Sequence, residues 1–218
     1  MISNKDNLRT YTAIDNLMLT IDQCMRSFNR ARATQAPYPA DGKPDNNLTT
    51  PQQKKSASFM RVNHCGEVCA QALYLGQSLT ARNQDTSAAM QEAADEEIDH
   101  LVWCEKRLSE LNSRTSYLNP IWFTGSLAIG IMAGLAGDKV SLGFLSETEN
   151  QVVKHLDKHL QLLPYADQRS RAIITQMKAD EAEHAILAVQ QGAIELPAPI
   201  KFTMRITSKI MTTIAHYF

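Results

Sequence analysis

Two short stretches of this sequence, Glu97-Ile98-Asp99-His100 and Glu181-Ala182-Glu183-His184, share the pattern Glu-x-x-His. Three residues along an α-helix turn through about 300°, so the carboxylate and the imidazole leave nearly the same face one turn apart. Each pair is suited to grip one metal ion. Two more carboxylates stand at matching distances: Glu67 lies 30 residues before Glu97, and Glu149 lies 32 residues before Glu181. The chain reads as two copies of one unit: a helix with a lone Glu, a turn, then a helix with Glu-x-x-His. Together Glu67, Glu97, His100, Glu149, Glu181 and His184 form the ligand set of a two-iron or two-manganese carboxylate site in a four-helix bundle.

Such a site needs carboxylates that face a core. A buried ionised carboxylate costs several kcal/mol (~3–5) unless it is paired or metal-bound. Glu97 shares its helical face with Met90, Ala94, Leu101 and Leu108; Glu149 with Leu142, Leu145, Val153 and Leu156; Glu181 with Ile174, Met177, Ala185 and Ala188. These three read as inward-facing. The face around Glu67 is more polar, with Asn63, His64, Gln71 and Tyr74, and fits the open side of a metal cavity as well as solvent. Glu147 shares its face with polar residues and reads as solvated; Glu96, Asp99 and Glu183 also lie off the apolar stripe. Mixed carboxylate and imidazole ligands suit iron or manganese better than zinc.

Asp180 has two readings: a hydrogen bond to the far ring nitrogen of a ligand histidine on another helix, or a surface acid. His64, one turn before Glu67, is placed to tune it. His155 falls about 120° round the helix from Glu149, so straight helix geometry does not bring it to the site. For both histidines an ordinary structural role is the alternative. Cys65 and Cys69 flank Glu67 by two residues and should face away from it, while Cys104 reads as core filling.

The elements that must position these groups are helices. The periodicity predicts them over roughly 52–83, 86–112, 139–163 and 167–192, with Asp85 and Asp167 as N-caps and Gly192 past a C-terminus. Residues 1–50 form a separate N-terminal piece, a helix over 1–31 and a Pro-rich loop, ahead of a main domain over 51–218. No alternating strand pattern occurs, so the expected class is all-α.

Two segments fall outside the bundle pattern. Between Arg114 and Asp138 there is no charged residue, and the run holds four glycines. Its length is borderline for a membrane span and suits a helix that buries in the core or lies on a bilayer. Residues 201–218 mix apolar residues with Lys201, Arg205 and Lys209 and carry no acid, the pattern of a basic amphipathic helix.

Bulk properties narrow the classes. A net charge of −1 gives no pull toward nucleic acid. The four cysteines form no CxxC pair, which argues against a rubredoxin-type or zinc-ribbon site and for a reducing, intracellular setting. The N-terminus lacks an apolar signal core, so no secretory targeting is expected.

The segment Arg61-Val62-Asn63-His64-Cys65-Gly66-Glu67, continuing through Ala70-Gln71-Ala72-Leu73-Tyr74, resembles the first motif of the demethoxyubiquinone hydroxylases. Glu97-Ile98-Asp99-His100, Glu147-Thr148-Glu149 with His155, and Asp180-Glu181-Ala182-Glu183-His184 resemble the others. The resemblance implies a ferritin-like four-helix bundle with additional membrane-contacting helices. It implies two iron ions held by the six residues above, with His155 close to them. The implied activity is an O2-dependent monooxygenase that hydroxylates the ring of a 2-polyprenyl-3-methyl-6-methoxy-1,4-benzoquinol, late in ubiquinone biosynthesis. The implied partners are that quinol, O2, an external reductant (NADH or the quinol), membrane lipid and a ubiquinone-biosynthesis complex. The implied location is the cytoplasmic side of the cell membrane, peripherally bound. An iron-storage shell and a rubrerythrin-like peroxidase are the rivals; the apolar run and basic tail speak against the first, the missing CxxC site against the second.

Overall fold

A computed structural model describes residues 36–44 and 47–218, so the helix expected over 1–31 lies outside the described residues. Six helices follow: α1 Thr50–Thr80, α2 Gln84–Glu110, α3 Asn119–Leu135, α4 Asp138–Leu162, α5 Gln168–Gln190 and α6 Ala198–Tyr217. The described residues contain no strand. α1 and α2 form one hairpin and α4 and α5 another, each closed by a short turn; the stretch between the hairpins carries α3 across the bundle. This is the ferritin-like arrangement, two antiparallel hairpins joined by a crossover.

The helix ends follow local chemistry. At α1 the Gln52 side chain accepts from the Thr49 backbone N–H at 2.9 Å, and Pro51 sits in the first turn, where its missing N–H costs nothing. Asp167 caps α5 by accepting from the Ser170 N–H at 2.9 Å, as expected. α2 differs: Asn83 is the cap, accepting from the Asp85 N–H at 3.0 Å, and Asp85 lies inside the first turn. There its charge complements the helix dipole. Asp138 accepts from the Arg82 and Asn83 N–H groups at 2.9 and 2.8 Å, which ties the α1–α2 turn to the start of α4. Gly192 adopts φ +101 just beyond α5, a conformation an L side chain resists.

The apolar core has two halves. One contains Leu73, Leu75, Met90, Leu101, Leu142 and Leu145; the other contains Met60, Trp103, Leu108, Leu156, Ile174 and Met177. In sequence, Glu67, Glu149 and Glu181 fall where their helices pass from one half to the other, and Glu97 lies between Ala94 and Leu101 of the first half. The described part of the Pro-rich stretch is not a free linker. Ala40 is fully buried against the second half, the Tyr38 hydroxyl donates to Glu110, and Lys106 sits 3.8 Å from the Tyr38 ring centre.

α3 explains its glycines. It crosses α1 at backbone contact: a Cβ on Gly76 would sit 2.5 Å from the Leu127 carbonyl oxygen, and one on Gly130 would collide with that of Leu73. One face of α3 packs on α1 through Phe123, Gly130 and Ala133, while Ile121, Met132 and Leu135 on the other are exposed. Among the described residues no helix is long and apolar enough to cross a membrane. Gly130→Ala forces the two backbones apart. Overpacking of this kind costs about 1–3 kcal/mol, so thermal denaturation should show a lowered midpoint; an unchanged midpoint would contradict this packing.

Candidate metal centre

The six expected ligands come from four helices: Glu67 from α1, Glu97 and His100 from α2, Glu149 from α4, Glu181 and His184 from α5. They converge as two overlapping groups. Ligand atoms of Glu67, Glu97, His100 and Glu181 all lie within 4.8 Å of one another, as do those of Glu97, Glu149, Glu181 and His184. Glu97 and Glu181 belong to both groups. The arrangement fits two neighbouring cations that share two carboxylates, each keeping one private Glu and one private His.

Burial is complete where charge is most costly. Glu97, Glu149 and Glu181 have no exposed surface, and Glu67 only 2 %. The ambiguity over Glu67 is thereby resolved in favour of a cavity lining. Glu97 Oε1 and Glu149 Oε2 are buried with no hydrogen-bond partner, a costly state that a cation relieves. Among the described residues no cysteine joins either group; Cys104 packs its sulfur 3.9 Å from that of Met177. Oxygen-rich donors with two imidazoles suit iron or manganese.

Burial and mutual repulsion favour the protonated form of two of the four acids. Burial, then repulsion from Glu97 and Glu181, pushes Glu67 well above the usual carboxylate range. Burial and Glu181 do the same to Glu149. Burial opposes the charge on Glu181 as well, but His100 and His184 outweigh it and hold its carboxyl below that range. His184 is disfavoured as a cation by burial, yet hydrogen bonds to Glu181 and Glu96 raise it to about 10. Metal binding would displace these protons.

Both histidines present the same nitrogen. His100 Nδ1 lies 3.2 Å from Glu97 Oε2 and 3.1 Å from Glu181 Oε1. His184 Nδ1 lies 3.2 Å from Glu181 Oε2. Each far nitrogen meets an acid on the opposite helix: His100 Nε2 with Asp180 at 3.1 Å, His184 Nε2 with Glu96. Asp180 thus takes the first of its two readings. Glu96 lies off its own helix's apolar stripe, as expected, and its exposed carboxylate reaches across to α5. The repeat itself held the signal, since Asp180 directly precedes Glu181 as Glu96 directly precedes Glu97. Such partners fix the imidazole tautomer and strengthen it as a ligand. Glu96→Ala and Asp180→Ala should each weaken metal binding about 10–100-fold in a metal titration; wild-type affinity would contradict the pairing.

Tyr74 is a further member that sequence reasoning left as mere lining. Its hydroxyl donates to Glu149 Oε1. Seven residues separate it from Glu67, two turns on the same face, and this spacing was the available clue.

The remaining histidines divide. His64 bridges Glu105, 3.1 Å from its Nε2, and Asn119, 3.3 Å from its Nδ1, and so joins α1 to α2 and to the start of α3. His155 lines a cavity of about 530 Å3 between α1, α3, α4 and α6. Glu67 lines the same cavity from α1, as do Trp122 from α3, Phe144 from α4 and Met204 from α6. The His155 Nε2 is buried without a hydrogen-bond partner, and its ring packs at a tilt of 58° against His159, with centres 3.9 Å apart. Burial, then Lys158, lowers His155 to about 4, so the ring is neutral at pH 7. Cys69 also lines this cavity, although helix geometry turned it away from Glu67, because the space wraps around α1 beneath α6. Cys65 packs under α6 against Met211 and Ala215.

The family described as "Ubiquinone biosynthesis protein COQ7" matches residues 54–215. The "3-demethoxyubiquinol 3-hydroxylase" of Nitrosomonas europaea is 51% identical over 204 residues, spanning 94% of this chain and 98% of that protein. Proteins of the same description from Azotobacter vinelandii and Pseudomonas putida are 50% and 49% identical, each across 94% of this chain and at least 95% of their own length. Matches of this extent, on a bundle with this interior, mean that the chain belongs to the ubiquinone biosynthesis protein COQ7 family.

Proposed function

We propose that this chain is a monooxygenase holding two iron ions on Glu67, Glu97, His100, Glu149, Glu181 and His184. Its reaction is hydroxylation of the ring of a 2-polyprenyl-3-methyl-6-methoxy-1,4-benzoquinol in ubiquinone biosynthesis. The supporting observation is that the apolar cavity reaches the carboxylate cluster at Glu67. A quinol ring entering there would stand beside one metal position. Held by these six residues, two irons would supply the chemistry for reducing O2, one oxygen atom ending in the ring hydroxyl and the other in water, with two electrons from NADH or the quinol.

The chain's own residues set the geometry. Asp180 and Glu96 keep the Nδ1 atoms of His100 and His184 turned inward. Tyr74 orients Glu149. Neutral His155 offers its unpartnered Nε2 to a quinol hydroxyl and holds the ring in place. Phe144, Trp122 and Met204 exclude water and line a path for a prenyl tail. Exposed Ile121 and Met132 on α3, and Phe202, Ile206 and Ile210 on α6, would rest on the cytoplasmic face of the cell membrane that supplies the quinol. A complex of ubiquinone-biosynthesis proteins is the expected setting.

Gly66 gives a clean test. It lines the cavity beside Glu67, and a Cβ there would meet nothing within 4 Å. Gly66→Leu should fit, gain up to about 1 kcal/mol of helix stability, retain iron, and cut turnover of the quinol about tenfold or more. The assay is reconstitution with ferrous iron, reductant, O2 and the demethoxylated quinol, with mass spectrometry for one added oxygen atom. A wild-type protein loaded with iron that leaves the quinol unchanged would overturn the reading.

A further inference from the structure

A second, open groove of about 640 Å3 lies between α4 and α6. Lys154 and Lys158 approach it from α4, Arg205 and Lys209 from α6, and no acidic residue lines it. Each pair is spaced i,i+4, so each helix sets its two cations one above the other. Among the described residues, none of the four takes part in an ion pair. The acid nearest in sequence, Asp157, pairs with Lys178 at 2.5 Å instead. Lys201, one turn before Arg205, is already committed to Glu195 and Glu147.

Four cations gathered without a counter-charge repel one another, and an anion removes that cost. Arginine and lysine suit a phosphate; the Ser208 hydroxyl lines the same groove, while those of Thr212 and Thr213 donate to the Lys209 carbonyl. Two features indicate where the phosphate comes from. The groove is continuous with the apolar cavity, since Val62, Gln151, His155, Ser208 and Thr212 line both. One residue on from the cations, α6 presents the stripe Phe202, Ile206 and Ile210, exposed at 58%, 45% and 52%. A phosphate beside an apolar stripe is the chemistry of a phospholipid at the surface of a bilayer.

We propose that the groove between α4 and α6 binds the phosphate of an anionic phospholipid headgroup, which seats the mouth of the apolar cavity against the bilayer. The source of the phosphate rests on the membrane reading given above; the charge of the groove does not. The test is co-sedimentation of the full chain with vesicles of phosphatidylcholine alone or mixed with phosphatidylglycerol. The wild type should bind the phosphatidylglycerol vesicles at least about tenfold more tightly. Lys158→Gln with Arg205→Gln should lose about 30-fold on those vesicles and little on phosphatidylcholine. Lys54→Gln with Lys139→Gln, two exposed lysines outside the groove, should change little. Equal binding of the wild type to both vesicles would overturn the proposal. So would an equal loss in the control pair, which would mean diffuse attraction. Displacement from the vesicles by millimolar glycerol phosphate would overturn the lipid as the source. Failure to bind either vesicle would overturn the proposal together with the membrane reading itself.

Discussion

Glu97→Ala or Glu181→Ala should empty both metal positions together, whereas Glu67→Ala or Glu149→Ala should empty one. The asymmetry follows from Glu97 and Glu181 lying in both ligand groups, while Glu67 and Glu149 each lie in one. Iron content per chain, measured after anaerobic loading, should fall from about two to near zero in the first pair and to about one in the second. Hydroxylation should drop by at least about a hundredfold in all four, beyond the ~10–100-fold of a lost outer partner. These variants should still fold, because each removes a buried acid from a crowded cluster rather than an apolar contact. Equal metal loss in all four would contradict the sharing.

Removing the metal should make stability fall as pH rises above neutrality. The folded, metal-free chain keeps protons on Glu67 and Glu149, whose acidity burial suppresses. The unfolded chain releases them near about pH 4.3. From there upward the folded state holds the extra protons, so each rise in pH favours unfolding. His100, raised by its acidic neighbours against the effect of burial, acts in the same direction, and so does His184, raised to about 10. Their contribution is complete below about pH 6.5 and is lost as pH climbs through the folded values. His155 and His159, depressed by burial to about 4 and about 2, oppose this trend, but only as pH falls below about 6.5. The clean window therefore runs from about pH 7 toward the His184 value of about 10, where its retained proton is worth up to about 1.4 kcal/mol per pH unit. Metal binding releases these protons and strengthens with pH. A metal in hundredfold excess over its Kd adds about 2.7 kcal/mol per site. Thermal melts with iron and with chelator should diverge steadily across that window; parallel curves would contradict the proton-for-metal exchange.

The six ligand candidates were legible because the chain states them twice, at nearly the same spacing and on stripes that are otherwise apolar. The two hairpins followed from the same periodicity. Glu96 was not legible from its own helix, because hydrophobic pattern judges a residue only against neighbours on one face. Its partner, His184, reaches it from another helix. His155 failed for a related reason: what makes it part of the cavity is α6, laid across α1 and α4. A basic amphipathic segment announces its two faces but not what it will cover. The glycines of the uncharged run were equally consistent with core and bilayer. Only the close crossing of Gly130 over Leu73 shows that part of their role is to let α3 approach α1.

The most direct test is an anomalous difference map at the iron edge from crystals loaded with ferrous iron. The account predicts two peaks about 3.5–4 Å apart, both touching Glu97 and Glu181, one also touching Glu67 and His100 and the other Glu149 and His184. A single peak, or peaks that leave Glu97 and Glu181 unshared, would contradict it.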